Sequence, residues 1–201
     1  ANSLSSIGCN IAHQLALRGA KIYIGARNFA KAQAGINEIL SRYSPQSPSL
    51  DPSKLKPFVA AIDDYAAVKA ATEKFLKAET RLDILVNNAS FLPLSLKYDA
   101  HGINQVMATN HLGPFLLTKL LLPLMEKTAR ADSNSDVCIV NVTSSTIDQI
   151  PSTHSFASVE AWNDPFGGES NPLQFVHRYA YSEVANVFFF FFFYKGAAAA
   201  F

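Results

Sequence analysis

Apolar residues recur along this chain with two different periods, which predicts a protein built from both helices and strands. Helical spacing covers residues 7–18, 30–43, 65–79 and 103–125, and another helix is predicted to begin near Tyr179. Short apolar runs predict strands at residues 21–25, 58–62, 82–86 and 137–142. Because the strands are continuously apolar and alternate with helices, the pattern predicts an α/β fold with a doubly wound parallel sheet.

The same pattern predicts which helix faces are buried and where elements end. In the first helix the predicted apolar face consists of Ile7, Ile11, Leu15 and, as a further candidate, Ala12. In the second helix it consists of Ala34, Ile36, Ile39 and Leu40. Gly19 should end the first helix, and Pro123 should lie near the end of the long one. Residues 44–56, rich in proline and serine, are predicted to be a surface loop.

Both ends of the chain depart from this pattern. The first helix begins by about residue 7, whereas a doubly wound domain is expected to open with a strand that becomes the central one. Residues 188–201 form a low-complexity tail with six consecutive phenylalanines, at 188–193, and four alanines, at 197–200. Two explanations of the phenylalanines stay open: an imperfect record of the natural sequence, or a very apolar buried helix.

Composition places the chain among ordinary globular proteins. The 201 residues are 49% hydrophobic with a net charge of +1, so we expect one domain over residues 1–201 and no nucleic acid as partner. The longest apolar run, residues 187–194, is too short for a membrane span, and no signal peptide is recognisable. Cys9 and Cys138 lie far apart without metal-ligand spacing, which favours a reducing, cytoplasmic location and no metal site.

Polar clusters follow three of the predicted strands. They are Gly25-Ala26-Arg27, Asn87-Asn88-Ala89-Ser90 and Thr143-Ser144-Ser145. In doubly wound sheets, ligands bind outside the carboxyl ends of the strands. The clusters therefore predict a binding site at this edge of the sheet.

Five local patterns occur in an order that resembles the short-chain dehydrogenase/reductase family. The first pattern is Ala1-Asn2-Ser3-Leu4-Ser5-Ser6-Ile7-Gly8, at the start of the first helix, and the second is Arg27, after the strand at 21–25, which corresponds to the family's second strand. The third is Ala61-Ile62-Asp63-Asp64, and the fourth is the Asn87-Asn88-Ala89-Ser90 cluster. The fifth is the set formed by Asn110, Ser144 and Tyr179. The resemblance covers roughly residues 1–187. It implies a Rossmann-type fold, from which this sequence lacks the first strand and the C-terminal strands.

The resemblance implies a nicotinamide cofactor held at the strand ends. Residues 1–8 are similar to the family's glycine-rich turn, Thr-Gly-x-x-x-Gly-x-Gly, where backbone amides at a helix N-terminus face the pyrophosphate. Ile7 and Gly8 match, Ser6 replaces the middle glycine, and Leu4-Ser5 resembles an insertion. Ser3 and Ser6 are thereby assigned to the cofactor, although a plain N-cap by Ser3 or Ser5 explains this stretch equally well.

Residues in three further motifs are assigned to the cofactor by the resemblance. Arg27 lies where an arginine accommodates a ribose 2′-phosphate, so NADP(H) is favoured over NAD(H); the alternative is a solvated surface arginine. Ile62 is placed beside the adenine, with Asp63 as an alternative. Asn88 and Ala89 belong to a motif similar to Asn-Asn-Ala-Gly, in which asparagine stabilises the sheet and small residues let the cofactor pack closely.

The resemblance also assigns catalytic roles. Asn110 matches the helix asparagine that orders a proton-relay water, and Ser144 matches the serine that hydrogen-bonds the substrate oxygen. Tyr179, in Tyr179-Ala180-Tyr181-Ser182-Glu183, matches the tyrosine of Tyr-x-x-Ser-Lys, the general acid or base. Tyr181 falls out of this spacing and is expected to be a wall residue.

Glu183 occupies the position of the family's lysine. A lysine charge about 4 Å away could stabilise a phenolate by roughly 4 kcal/mol at an effective dielectric of 20, whereas an ionised glutamate would destabilise it comparably. Three explanations stay open: an error in the recorded residue, a degenerate member that binds NADP(H) without turnover, or a charge supplied by substrate or cofactor. The sequence thus predicts an NADP(H)-dependent oxidoreductase acting on a carbonyl or alcohol, with an inactive NADP(H)-binding or interaction protein as the alternative.

The segment between Ser144 and Tyr179 is long, which is similar to retinol-dehydrogenase-like members and implies a bulky lipophilic substrate. Its aromatic residues either line an apolar pocket or pack the loop onto the domain: Phe156, Trp162, Phe166 and Phe175. His154 and His177 are expected to be solvated or capping residues. The family's use of the helices at 103–125 and 179–194 as subunit contacts implies a homodimer or homotetramer.

Overall fold

A computed structural model of the chain describes residues 7–42, 50–132 and 135–198, with side chains as far as residue 189. The chain divides into two compact units, Ala1–Glu79 and Thr80–Phe201. The assignment of residues 1–201 to a single domain stays a prediction. No helix within the described ranges combines the length and the apolar character that crossing a membrane requires.

The first unit is a parallel pair of strands with helices around it. Its elements are α1 (Ile7–Leu17), β1 (Ile22–Ala26), α2 (Phe29–Ser41), a 3₁₀ turn (Pro52–Lys54), β2 (Leu55–Val59) and α3 (Tyr65–Ala78). Strands β1 and β2 pair in parallel, from Ile22 opposite Leu55 to Ala26 opposite Val59. The predicted α/β architecture with parallel strands is therefore confirmed in this unit.

Helix α1 packs through a face that differs in part from the one predicted. Its buried residues are Cys9, Ala12 and Ala16, while Ile7 is 54% exposed. Of the predicted face, Ala12 is buried and Ile11 and Leu15 are half-buried, whereas Ile7 was wrongly placed, because small side chains at helical spacing make the closest contact with the core. In α2 the buried residues are Ala32, Gly35, Ile36 and Ile39, so Ala34 was wrongly placed.

Two boundaries in this unit test the turn predictions. Gly19 ends α1 as predicted: its φ is +83°, and its N–H donates to the oxygen of Ala16 over 2.9 Å. Strand β2 begins at Leu55 and not at residue 58, because Leu55 is buried in the core with Leu50. The prediction that residues 44–56 are a surface loop was therefore wrong at Leu50, which is buried, and at 55–56, which belong to β2; residues 51–54 are exposed as predicted, and residues 43–49 lie outside the described ranges.

The second unit has a second parallel pair of strands and longer helices. Its elements are β3 (Ile84–Asn87), α4 (Gln105–Met107), a π-helical turn (Ala108–Leu112), α5 (Gly113–Ala131), β4 (Cys138–Asn141), a 3₁₀ turn (Ser145–Gln149), α6 (Val159–Trp162), a second 3₁₀ turn (Gly168–Ser170) and α7 (Gln174–Ala198). Strands β3 and β4 pair in parallel, from Ile84 opposite Cys138 to Asn87 opposite Asn141.

The long helices differ from their predicted extents. Helix α5 continues through Pro123 to Ala131, because buried residues beyond the proline, including Leu124 and Met125, offset the hydrogen bond that proline cannot make. Helix α7 begins at Gln174 and not near Tyr179. The turn before it is fixed by the Asn171 side chain, whose Oδ1 accepts from the N–H of Leu173 over 2.9 Å. The helix includes the run of phenylalanines, of which Phe188 is exposed and Phe189 is buried.

Aromatic residues of the segment between β4 and α7 surround Tyr181. The Tyr181 ring stacks on Phe156 with a centroid separation of 4.2 Å, and Phe166 meets it edge-on at 5.4 Å. Trp162 and Ile150 pack against the same cluster, and Tyr181 itself is buried. Phe156, Trp162 and Phe166 therefore pack the loop, and Phe156 and Trp162 also line cavities beside α7, so both roles open to these aromatic residues are represented. Tyr181 is 1% exposed and belongs to this core cluster, so its role as a wall residue of the site stays a prediction.

Candidate active site

The carboxyl edge of the β1–β2 pair presents the side chains assigned to the adenosine half of the cofactor. Arg27 directly follows β1, is exposed, and forms no hydrogen bond or ion pair within the described ranges. The N–H of Ala60 donates to the oxygen of Ala26 over 2.9 Å, which carries the ladder one residue beyond β2. Ile62 and Asp63 follow on the same edge and are half-buried. An unpaired arginine beside half-buried residues at a parallel strand edge fits a phosphorylated ribose and an adenine.

Ile7 and Gly8 form the first turn of α1, which contains no acidic residue. The positive end of the helix dipole is therefore not neutralised by its own first turn, as a pyrophosphate site requires. Ser3 and Ser6, the other residues assigned to this turn, lie outside the described ranges.

The end of the β3–β4 pair is held together by asparagine side chains. Asn87 and Asn141 are register partners, and the Nδ2 group of Asn87 donates to Oδ1 of Asn141 over 2.8 Å. The same Nδ2 group donates to Oγ1 of Thr118 over 3.1 Å. Asn87 thus stabilises the sheet, whereas Asn88 is half-buried and Ala89 is exposed beyond the strand end.

Asn110 lies in the π-helical turn between α4 and α5 and is 2% exposed. Its Oδ1 accepts from the N–H of Phe91 over 2.8 Å, and its Nδ2 donates to the oxygen of Phe91 over 3.1 Å. The same Nδ2 donates to Oγ of Ser182 on α7 over 3.0 Å. Asn110 therefore ties the segment after β3 to α7, and it does so from a turn type that is often found at functional sites.

Helix α7 holds Tyr179 beside this junction. Ser182 Oγ donates to the backbone oxygen of Tyr179 over 2.7 Å, and the Tyr179 ring is half-buried. The preceding residue, Arg178, is 2% exposed and donates to the oxygen of Leu94 over 3.1 Å and to Oε1 of Gln174 over 2.6 Å. The segment from Phe91 to Leu94 is consequently fastened at both ends beside Tyr179.

Ser144 caps the 3₁₀ turn that follows β4. Its Oγ accepts from the N–H of Thr146 over 3.3 Å and from Oγ1 of Thr146 over 3.1 Å. Both groups of the second contact are hydroxyls, so the Ser144 hydroxyl can turn from Thr146 to donate to a substrate oxygen. The neighbouring Thr143 Oγ1 donates to the backbone oxygen of Glu183 over 3.4 Å, which brings this segment against α7.

Glu183 is 2% exposed, and its Oε2 has no hydrogen-bond partner within the described residues. Burial raises the pKa of Glu183, and nearby polar groups of Thr143, Asn186 and Tyr179 lower it only in part. The like-charge repulsion considered from sequence requires an ionised glutamate, and this environment disfavours that form.

Sequence reasoning did not find three residues that support the site. Arg178 and Asn186 carry no motif of their own, and Ser182 was noted only as part of the Tyr-x-x-Ser-Lys pattern. His111 Nδ1 lies 3.2 Å from Oδ1 of Asn186, and burial lowers the pKa of His111. Ser182 and Asn186 follow Tyr179 by three and seven residues, so both lie on the same helix as the tyrosine. This spacing is the only signal that the sequence offered for them.

The two other histidines of the loop contact its own side chains. His154 stacks on Phe166 at 5.1 Å, and its Nε2 lies 3.4 Å from Oδ2 of Asp164. His177 Nδ1 lies 3.1 Å from Nδ2 of Asn171. Both histidines are half-buried, and their interpretation as non-catalytic residues stays a prediction. Among the residues described, no three His, Cys, Asp or Glu side chains gather as a metal site would need.

A cleft of about 440 Å³ lies between α7 and the segment after Ser144. Its α7 residues are Val184, Val187 and Phe188. At 100° per residue, Val184, Val187 and Phe188 point about 140°, 80° and 180° away from Tyr179 around the helix. Tyr179 itself is not among the residues that line the cleft.

Comparison with known proteins bears on the origin of this arrangement. A family model described as short chain dehydrogenase matches residues 3–157. The chain belongs to the short-chain dehydrogenase/reductase family. A short-chain dehydrogenase/reductase of Armillaria gallica is 37% identical over 183 residues, which are 91% of this chain and 54% of the relative. Human retinol dehydrogenase 12 is 32% identical over 187 residues, 91% of this chain and 51% of that protein. The resemblance to retinol-dehydrogenase-like members is thus confirmed, and the chain spans about half the length of these relatives.

Solved structures agree on the fold of the family. A putative uncharacterized protein from Mycobacterium paratuberculosis has a TM-score of 0.68 at 23% identity, covering 100% of this chain and 61% of that chain. The NADP active-site complex of Pseudomonas aeruginosa RhlG has a TM-score of 0.59 at 21% identity, and the match covers 90% of this chain and 58% of that chain. These similarities confirm the predicted Rossmann-type α/β fold.

Proposed function

We propose that this chain is an NADP(H)-dependent oxidoreductase that interconverts a carbonyl and an alcohol. The carrying observation is the junction in the second unit where Asn110 and the Thr143–Ser144 segment meet the helix that contains both Tyr179 and Ser182. Tyr179 would give a proton to the substrate oxygen or take one from it, and Ser144 would donate a hydrogen bond to the same oxygen. When bound, the nicotinamide would supply or accept the hydride.

By resemblance to the family, residues of each unit are assigned to this cofactor. Arg27 would pair with the 2′-phosphate, as a planar guanidinium does with phosphate oxygens. The first turn of α1, with Ile7 and Gly8, would face the pyrophosphate. The residues assigned to the remaining contacts are Ser3, Ser6, Ile62, Asp63, Asn88 and Ala89. The preference for NADP(H) over NAD(H) rests on Arg27, which forms no hydrogen bond or ion pair within the described residues.

A bulky lipophilic substrate is supported by the long segment between Ser144 and Tyr179 and by the names of the retinol dehydrogenase relatives. The relatives' names do not favour the inactive alternative. We further propose a homodimer or homotetramer. A cytoplasmic location is supported by Cys9 and Cys138, which are both free thiols.

The function is tested by following NADPH oxidation with a panel of aldehydes and ketones of increasing alkyl length. Tyr179→Phe keeps the ring but removes the proton donor, so turnover should fall about 10²-fold or more while NADPH binding is unchanged. Tyr181→Phe is the matched control, because Tyr181 belongs to the loop core. Equal turnover of Tyr179→Phe and the wild type, or no turnover of the wild type with any carbonyl, would contradict the proposal.

A further inference from the structure

Glu183 lies on a polar face of α7 that is enclosed by other elements. At 100° per residue, Tyr179, Glu183 and Asn186 fall within about 60° of one another around the helix. Polar groups of Tyr179, Asn186 and Thr143 are close enough to the Glu183 carboxyl to act on it. The side chain is 2% exposed, and Oε2 has no partner within the described residues. A buried oxygen of this kind points to a hydrogen-bonding role that the fold alone does not use.

The surroundings of this carboxyl contain no compensating cation in the described part of the chain. The groups that act on it are the hydroxyls of Thr143 and Tyr179 and the amide of Asn186. Arg178, on the same helix, directs its guanidinium to Gln174 and to the oxygen of Leu94. A carboxylate buried without a cation is strongly disfavoured, and the usual response is to take up a proton.

The next titratable group along this face is His111, which reaches Glu183 only through Asn186. His111 Nδ1 lies 3.2 Å from Oδ1 of Asn186, and burial lowers the pKa of His111, so the imidazole stays neutral. Because Oδ1 of Asn186 faces His111, its Nδ2 is the group able to donate toward Glu183. A neutral histidine supplies no positive charge that would stabilise the ionised form of Glu183.

We propose that Glu183 is an uncharged carboxylic acid in the folded chain, and that its hydroxyl positions Tyr179 by donating a hydrogen bond to the phenolic oxygen. The inference rests on the proposed function for its catalytic meaning. When the Tyr179 O–H bond breaks and its proton forms an O–H bond on the substrate oxygen, negative charge is left on the phenolic oxygen. A neutral donor at Glu183 can stabilise that charge, although less than the cation of a lysine would. Glu183 is thus a positioning residue for Tyr179.

The charge state is tested by infrared difference spectroscopy on the full chain without cofactor at pH 7, with ¹³C-labelled glutamate. A protonated carboxyl has a C=O stretching band that a carboxylate lacks, and this band should disappear in Glu183→Gln. Glu79→Gln is the matched control, because Glu79 accepts from Lys21 and Tyr23 at 2.6 Å each and its pKa is lowered by these bonds. If Glu183→Gln removes no protonated-carboxyl band from the spectrum, the proposal is overturned.

The positioning role is tested by NMR of tyrosine labelled with ¹³C at Cζ, with the Tyr179 signal identified from Tyr179→Phe. Glu183→Gln keeps a neutral donor and should leave the Tyr179 signal in place, whereas Glu183→Leu should move it, with the Tyr181 signal as internal reference. A Tyr179 signal that moves equally in both variants, or in neither, would overturn the role. If Glu183→Leu does not fold, a displaced signal in Glu183→Gln alone overturns it, and an unchanged one supports it. Absence of turnover would contradict the proposed function and leave both of these readouts intact.

Discussion

Replacing Asn110 by leucine should destabilise the second unit through its polar contacts alone. Leucine has a similar volume, so little cavity is created, but both backbone groups of Phe91 lose their partner and Ser182 loses a donor. Each unpaired buried group costs about 1–3 kcal/mol. The Phe91 bonds are partly buried, and Ser182 Oγ keeps its bond to the oxygen of Tyr179, so the lower end of the range applies. We expect a loss of about 2–3 kcal/mol in the free energy of unfolding.

Urea unfolding followed by tryptophan fluorescence measures this loss directly. Trp162 is the single tryptophan of the chain and packs against the core cluster of the second unit. Asn88→Leu is the matched control in the cofactor-free chain, because Asn88 forms no hydrogen bond within the described residues and the change should stay within about 0.5 kcal/mol. A loss below about 1 kcal/mol for Asn110→Leu would show that water or backbone movement replaces these bonds, which would refute the reasoning.

The remaining predictions concern cofactor choice and alkaline stability. Arg27→Asp should weaken NADPH binding about 10–100-fold relative to NADH binding, because a charge-assisted contact with the phosphate is lost. Lys69→Asp is the control: it makes an equal charge change on the exposed side of α3 and should not alter the ratio of the NADPH and NADH dissociation constants. Burial, followed by the charge of Asp164, raises the pKa of Tyr181 from 10.0 to about 12. Because the pKa of Tyr181 is higher in the folded state than in the unfolded state, the stability that its neutral form contributes is complete below pH 10 and is lost as the pH rises toward 12. In Tyr181→Phe the free energy of unfolding should therefore fall less steeply over this range, by up to about 1.4 kcal/mol per pH unit. An equally steep fall in Tyr181→Phe would contradict the assignment.

Local sequence signals predicted the element order and many of their ends. Gly19 stops α1 because its positive φ suits a residue without a side chain, and such a requirement can be read from the sequence itself. The faces of the helices were less predictable. Helix α1 buries Cys9, Ala12 and Ala16 in preference to Ile7, because close packing of small side chains depends on the neighbouring elements and not on hydrophobicity along one helix.

In the candidate site, too, residues marked by a local motif were predictable and those defined by distant contacts were not. Motif positions identified Asn110, Ser144 and Tyr179, whose types follow from the chemistry. The environment of Glu183 was not predictable, since its neutral form depends on burial, and burial arises from contacts of α7 with residues distant in sequence. Arg178 was missed for a related reason: its acceptor, the backbone oxygen of Leu94, leaves no trace in residue type.

The π-helical turn at Ala108–Leu112 makes the number of residues in this helix as important as their identity. Here the N–H of Gly113 donates to the oxygen of Ala108, five residues back and not four, so the turn accommodates one residue beyond a regular α-helix. Deleting one residue here would restore regular winding and leave α4 and α5 in nearly the same relative orientation, because the wider turn already absorbs the extra residue. Ile103 and Met107 would keep their places in the core that they share with Tyr181. A one-residue deletion in this turn should therefore act on Asn110 and its contacts with Phe91 and Ser182, and not on the packing of α4.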